Sequence, residues 1–205
     1  NKNPRIVEGF KKFKSIKNLC KNKKITEILR YFYEKKPVPI NSINFIRGTD
    51  QPLHSDYIHF SSMPHKYLCA AWIALEKTDE KNGPIIVVPG SHKFDLIDYS
   101  LFNLKTPTSI KELSKFYKIY ETYVDKLVKL KKIQTKTIKL KPGQAVIWAS
   151  NLLHGGKKII DKSRTRFSQV VHYHFEKCDF IYNPGFSNVA EGKYAYRSLE
   201  NLRIE

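Results

Sequence analysis

Three side chains of this sequence have the types and spacing to hold a metal ion. His54-Ser55-Asp56 sets an imidazole and a carboxylate two residues apart. On an extended strand the two-residue period aims both at one face, so the pair converges on a single point. A third donor is His154, far along the chain in Asn151-Leu152-Leu153-His154-Gly155-Gly156, where an apolar strand end delivers one imidazole beside two glycines that permit close backbone approach. Two histidines and one carboxylate on one face of a six-coordinate ion form the facial triad of non-haem Fe(II) oxygenases. The same donors also make catalytic zinc sites, so the triad alone leaves both metals open.

A second group lies downstream. Arg164-Thr165-Arg166-Phe167-Ser168 reads as part of a strand over Arg166–Phe175. Arg166 and Ser168 then share a face, and a guanidinium beside a hydroxyl suits a carboxylate held by charge-assisted hydrogen bonds. An anion bound there argues against zinc chemistry that uses no organic acid. His172 and His174 fall on the same face, as cavity lining or, for His172, as a hydrogen-bonding neighbour of the metal ligands. A rival metal set built from them with His154 lacks the carboxylate. His92, after Pro89-Gly90-Ser91, reads as a loop-fixing residue. His59 and His65 flank the first ligand pair, placed either to meet substrate or simply as loop polarity, and Asn44 and Gln51 precede that pair as candidate hydrogen-bond donors.

These residues need a scaffold of short strands. Ile25, Ile28, Leu29, Phe32 and Tyr33 recur at helical steps from Lys23 to Lys36, until Pro37 and Pro39 forbid continuation. Ile40–Arg47 alternates as a strand, with Gly48-Thr49-Asp50 as a turn. Tyr67–Leu75 and Ile85–Val88 read as neighbouring strands joined through Asn82-Gly83, a tight-turn signal. Ile110, Leu113, Tyr117, Tyr120, Val124, Leu127 and Leu130 lie at helical spacing, so a long helix interrupts the strands. Thr137–Leu140, the turn Lys141-Pro142-Gly143, Ala145–Trp148 and Arg166–Phe175 resume the β pattern of a sandwich or barrel. One domain is expected over residues 1–205. Its parts are a helical support over 1–40, barrel strands over 41–93 and 134–177, a helical insertion or lid over 94–133, and a tail over 178–205.

Composition narrows the partners. The 205 residues carry 37 basic and 19 acidic side chains, a formal +18, concentrated in residues 1–40 and 105–141. Such charge raises nucleic acid as a partner. Only seven of the basic residues are arginines, whereas phosphate and base recognition favours arginine, so a solvated lysine surface is expected and nucleic acid is not. An anionic small-molecule substrate fits the same charge. No apolar run reaches the roughly 18 to 20 residues of a membrane span. Cys20, Cys69 and Cys178 are scattered and in no Cys-x-x-Cys spacing, which points to a reducing, cytoplasmic setting. The chain opens on Asn1 rather than Met, so its beginning does not bear on whether a signal peptide exists.

From about Asn44 to Tyr173 the sequence resembles the phytanoyl-CoA dioxygenase family of Fe(II)- and 2-oxoglutarate-dependent oxygenases. The resemblance runs through His54-Ser55-Asp56, Cys69-Ala70-Ala71-Trp72-Ile73-Ala74-Leu75-Glu76, Asn82-Gly83, Pro89-Gly90-Ser91-His92-Lys93, His154-Gly155-Gly156 and Arg166-Phe167-Ser168-Gln169-Val170-Val171-His172-Tyr173, in the family's order. It implies a mainly β fold with flanking α-helices, a double-stranded β-helix or jelly-roll barrel of cupin type. It implies iron ligands at His54, Asp56 and His154, a 2-oxoglutarate clamp at Arg166 with Ser168, and a pocket wall at Trp72. The implied reaction uses O2 and 2-oxoglutarate to hydroxylate a small molecule, releasing succinate and CO2. Asp56 disfavours the related halogenases, which carry a small residue there. Two other readings stand beside it: a basic binding module on the same barrel without turnover, and a zinc enzyme without a keto-acid. A monomer or homodimer is expected.

Overall fold

The computed structural model describes residues 5–97, 99–104 and 109–182. Its strands are β1 (Arg5–Val7), β2 (Pro37–Phe45), β3 (Phe60–Met63), β4 (Leu68–Ala74), β5 (Ile85–Val87), β6 (Lys136–Ile138), β7 (Ala145–Ala149), β8 (His154–Gly156), β9 (Ser168–Phe175) and β10 (Asp179–Tyr182). The α-helices are α1 (Lys14–Cys20), α2 (Lys23–Tyr33) and α3 (Ile110–Leu130). A five-stranded antiparallel sheet runs β1-β2-β9-β4-β7, a three-stranded sheet β6-β5-β8, and β10 pairs with β3.

The two largest sheets face each other across an apolar layer. Ala70, Trp72, Ala74, Trp148 and Val170 of the larger sheet pack on Ile85 and Val87 of β5. On the other face Cys69, Ala71, Ile73, Val171, Tyr173 and Phe175 are covered by Cys20, Ile25 and Leu29 of α1 and α2. Every residue of β4 and β9 is buried for this reason, and β4 is apolar throughout, without alternation. The result is a jelly-roll arrangement, mainly β with helices outside, as expected.

Several local expectations are corrected. α2 ends at Tyr33, because Glu34 takes a left-handed conformation at φ 53° three residues before the first proline. Pro37 and Pro39 open β2 instead, beyond the reach of β1, where among the described residues one edge has no partner in the larger sheet; the ladder to β9 shifts register between Pro39 and Asn41. β4 and β5 are not neighbours but belong to opposite sheets. Asn82-Gly83 serves the crossing between them. Asp79 N–H donates to Asn82 Oδ1 at 3.0 Å, and Asn82 Nδ2 donates to the carbonyls of Lys77 at 3.0 Å and Thr165 at 3.2 Å. That side chain staples a loop between sheets instead of closing a hairpin. β9 starts at Ser168, so Arg166 precedes the strand, held by its N–H donating to the Ile46 carbonyl at 2.8 Å. Within the expected tail, 178–182 contain β10, whereas 183–205 lie outside the described residues. No described helix is long and apolar enough to cross a membrane.

Candidate metal centre

His54-Ser55-Asp56 does not lie on a regular strand. His54 forms a single antiparallel bridge with His154, exchanging N–H to carbonyl bonds of 2.9 and 2.8 Å, and Asp56 opens a 3-10 turn over Asp56–Ile58. The convergence that strand periodicity predicts is reached by a bridge followed by a turn. Pro52, which has no N–H, precedes this departure from sheet pairing. Gly155 and Gly156 allow the loop over residues 49–52 to lie against β8. A Cβ at Gly155 would stand 2.7 Å from the Gln51 carbonyl oxygen, and one at Gly156 would stand 2.9 Å from Thr49 Oγ1.

The ligand atoms of His54, Asp56 and His154 all lie within 4.8 Å of one another, and the residues are 4%, 5% and 6% exposed. Each imidazole is oriented by a backbone carbonyl. His54 Nδ1 donates to the Pro52 oxygen at 2.9 Å and His154 Nδ1 to the Leu152 oxygen at 2.9 Å, which leaves Nε2 of each ring as the lone-pair nitrogen. The Gln51 side-chain amide donates to His54 Nε2 at 3.1 Å. Asp56 divides its oxygens: Oδ2 accepts the Trp148 indole N–H at 2.8 Å, while Oδ1 lies 3.6 Å from His154 Nε2 and 3.6 Å from His172 Nε2. One carboxylate oxygen is thereby fixed and the other offered to the centre.

The electrostatics suit metal binding. Burial, aided by the nearby His154, holds His54 down to about 3. Burial alone would raise Asp56, but His154, His172 and His54 outweigh it and keep the carboxyl well below the usual carboxylate range. Near neutral pH His54 is therefore neutral and Asp56 ionised, the forms a metal requires.

Arg166 and Ser168 are both buried, 2% and 0% exposed, but of the two only Arg166 is among the residues lining the cavity with the three ligands. Arg166 lines the same cavity, of about 390 Å³, together with Trp72, Val170 and the three ligands. Its guanidinium lies 5.3 Å from the Trp72 ring and 5.7 Å from the Phe45 ring, and Nη1 donates to the Gly83 carbonyl at 2.7 Å. Ser168 pairs across the sheet with Phe45 and Ala74, on the inner face. Arg166 Nε and Ser168 Oγ are buried without hydrogen-bond partners. Among the described residues no carboxylate pairs with Arg166. Burial lowers it to about 10 even though Glu76 and Asp50 act the other way. A buried cation with an orphaned N–H on the cavity wall fits an incoming carboxylate.

Other candidates separate cleanly. His59, Gln51 and His172 line the cavity, whereas Asn44 turns to the opposite face of β2 and donates to Gln169 Oε1 at 3.1 Å. His174 leaves the cavity and donates through Nε2 to the Asp179 carbonyl at 3.2 Å, so the rival metal set is not assembled. His65 pairs with the Tyr57 hydroxyl at 3.2 Å. At His92 it is the backbone carbonyl, not the ring, that receives Asn151 Nδ2, at 2.7 Å. Sequence reasoning missed Trp148, which reads only as a core residue of its strand, and the cavity-lining Arg5, which lies far from every ligand in sequence. An indole N–H on a core strand is the available signal for Trp148, since a buried one needs an acceptor.

The phytanoyl-CoA dioxygenase (PhyH) family profile matches residues 16–165, nearly three quarters of the sequence. This chain belongs to the phytanoyl-CoA dioxygenase family. It is 25% identical over 164 residues to the peroxisomal phytanoyl-CoA dioxygenase of Mus musculus, an alignment covering 74% of this chain and 44% of that protein. With the peroxisomal enzyme of Homo sapiens it is 22% identical over 184 residues, covering 86% of this chain and 50% of that protein. The chain thus spans half or less of the length of these curated relatives. In fold it is similar to a non-heme alpha ketoglutarate dependent carbocyclase, SnoK, from nogalamycin biosynthesis. The TM-score is 0.67 at 15% identity, covering 95% of this chain and 71% of that one.

Proposed function

We propose that this chain is an Fe(II)- and 2-oxoglutarate-dependent dioxygenase that hydroxylates a small-molecule substrate. The observation that carries the reading is the pairing of a buried His-Asp-His centre with a buried Arg166, which no described carboxylate neutralises and whose Nε has no partner, in one cavity. His54, Asp56 and His154 would hold the iron. Arg166 and Ser168 would take the far carboxylate of 2-oxoglutarate, and the Trp72 ring, already against the guanidinium, would form a wall for its methylenes. When bound, iron with 2-oxoglutarate and O2 supplies an oxidative decarboxylation to succinate and CO2 coupled to substrate oxidation.

The residues determine what enters and how it is held. Backbone carbonyls keep the two imidazoles in the ligating tautomer, and the Trp148 indole holds Asp56 to one free oxygen. By the family resemblance, in which halogenases carry a small residue at this place, the aspartate at 56 supports hydroxylation over halogenation. The outer cavity joins apolar Ile43, Phe60 and Leu113 to His59 and to the exposed Arg5 of β1. That lining supports a substrate with an apolar body and a negative group directed to Arg5. The three cysteines are free and buried, which supports a reducing compartment, the cytoplasm.

The test is release of CO2 from 2-oxoglutarate labelled at its 1-carboxylate. The wild-type protein with Fe(II) is expected to release label, and His154→Ala is not. Zinc retained in place of iron, with no binding of 2-oxoglutarate, would favour the zinc enzyme. Salt-dependent nucleic-acid binding unaffected by His54→Ala would favour the basic module.

A further inference from the structure

The residue between the two neighbouring ligands is tied to a helix outside the sheets. Ser55 N–H donates to the Tyr120 hydroxyl at 2.8 Å, and Ser55 Oγ shares a second hydrogen bond with that hydroxyl at 3.0 Å. Tyr120 is fully buried on α3, the helix inserted between β5 and β6. Burial pushes its phenol up to about 12, so it keeps its proton. The same helix packs through Val124 and Val128 into a cluster with Ile58, two residues after Asp56, and Leu153, immediately before His154. α3 therefore touches both chain segments that deliver ligands. His54 and Asp56 flank Ser55, and a shift of the Ser55 peptide moves both ligand backbones together.

We infer that Tyr120 is a positioning residue for the metal-binding pair, acting through Ser55, and that α3 thereby sets the affinity of the centre for its metal. The inference rests on the metal reading above. His54 is held by its bridge to His154 and Asp56 by the Trp148 indole, and the peptide between them is held by Tyr120. The phenol supplies two hydrogen bonds in a dry environment, where each fixes geometry more firmly than it would in water. Groups hydrogen-bonded directly to metal ligands commonly change affinity about 10- to 100-fold when altered, and Tyr120, one residue further out, is expected at the low end of that range.

The experiment is anaerobic titration of the full chain with Co(II) alone, read by its visible ligand-field bands, alongside thermal unfolding. Tyr120→Phe is expected to bind Co(II) about 10-fold more weakly, with a changed band pattern. Tyr123→Leu, which removes from the same helix the ring that packs on Phe102 and leaves the Tyr120 phenol in place, should lower the melting temperature without moving affinity or spectrum. Tyr120→Phe with wild-type affinity and spectrum would overturn the inference, and so would Tyr123→Leu matching its loss, since the helix would then act through stability alone. If Tyr120→Phe does not fold, Tyr120→His, which keeps a ring and displaces the hydrogen-bonding atom from the Ser55 N–H, takes its place: a weaker Co(II) complex supports the inference and an unchanged one overturns it. A wild-type protein that fails to bind Co(II) at all would instead remove the metal reading itself.

Discussion

At the residue scale, the centre depends on donors that hold the ligands as much as on the ligands. Trp148 is the sharpest case, because its indole N–H is the hydrogen bond that commits Asp56 Oδ2. Trp148→Phe keeps an aromatic ring between the sheets but leaves that oxygen without its donor. Metal affinity is expected to fall about 10-fold or more by titration. The larger part of the loss should persist when protein stability is matched by temperature. An unchanged affinity would show that the carboxylate needs no orientation. Arg166 is the other pole: Arg166→Ala removes a cation that no described carboxylate neutralises, so folding stability should change little or rise, while keto-acid binding is lost. Urea unfolding of that variant checks the first half, and a large destabilisation would mean that Arg166 is chiefly structural.

At the scale of elements, the path of the chain places residues that their types only nominate. His54, Asp56 and His154 are legible as a donor set from residue type, and the structure brings them together. Strand periodicity is not what aims the first pair; a bridge to His154 and a 3-10 turn do so. A tripeptide carries no signal for which of these backbones it adopts, because the deciding partners, the His154 backbone and Tyr120, are supplied by β8 and α3. Asn82-Gly83 misleads for a related reason: the dipeptide encodes a turn, but not whether the next strand joins the same sheet. The helices and most strands are readable because apolar spacing reports one covered face; β4 stands out as a continuous apolar run, since both of its faces are covered. The glycines after His154 make the closeness of two loops testable. Gly155→Ala puts a Cβ 2.7 Å from a backbone oxygen of the 49–52 loop. It should destabilise the protein by roughly 1 to 3 kcal/mol and weaken metal binding, measured by urea unfolding and titration. Tolerance without loss would mean that the loop yields easily.

At the scale of the whole molecule, buried histidines couple folding to pH. Burial lowers His174, and its Nδ1 has no partner, so a proton added there is poorly accommodated in the folded state. The unfolded chain binds that proton near the ordinary histidine value of about 6.5, whereas the folded chain does so only at lower pH. Stability is therefore fully present above that value and declines as pH falls below it, by up to about 1.4 kcal/mol per pH unit for each such histidine. His59, also lowered by burial, acts in the same direction. Urea unfolding of metal-free protein should show lower stability at pH 5.5 than at pH 7.5, with a shallower decline in His174→Gln. Equal stability at the two pH values would contradict this.

One experiment bears on iron, keto-acid and anchor together: anaerobic addition of Fe(II) and then 2-oxoglutarate, followed by visible absorption. Bidentate keto-acid chelation gives a charge-transfer band near about 500 nm. The wild-type protein is expected to develop the band. Arg166→Ala should require far more keto-acid to reach it while retaining Fe(II), and Asp56→Ala should lose Fe(II) itself. Absence of the band in wild-type protein that holds Fe(II), or equal losses of metal and keto-acid in both variants, would contradict the assignment.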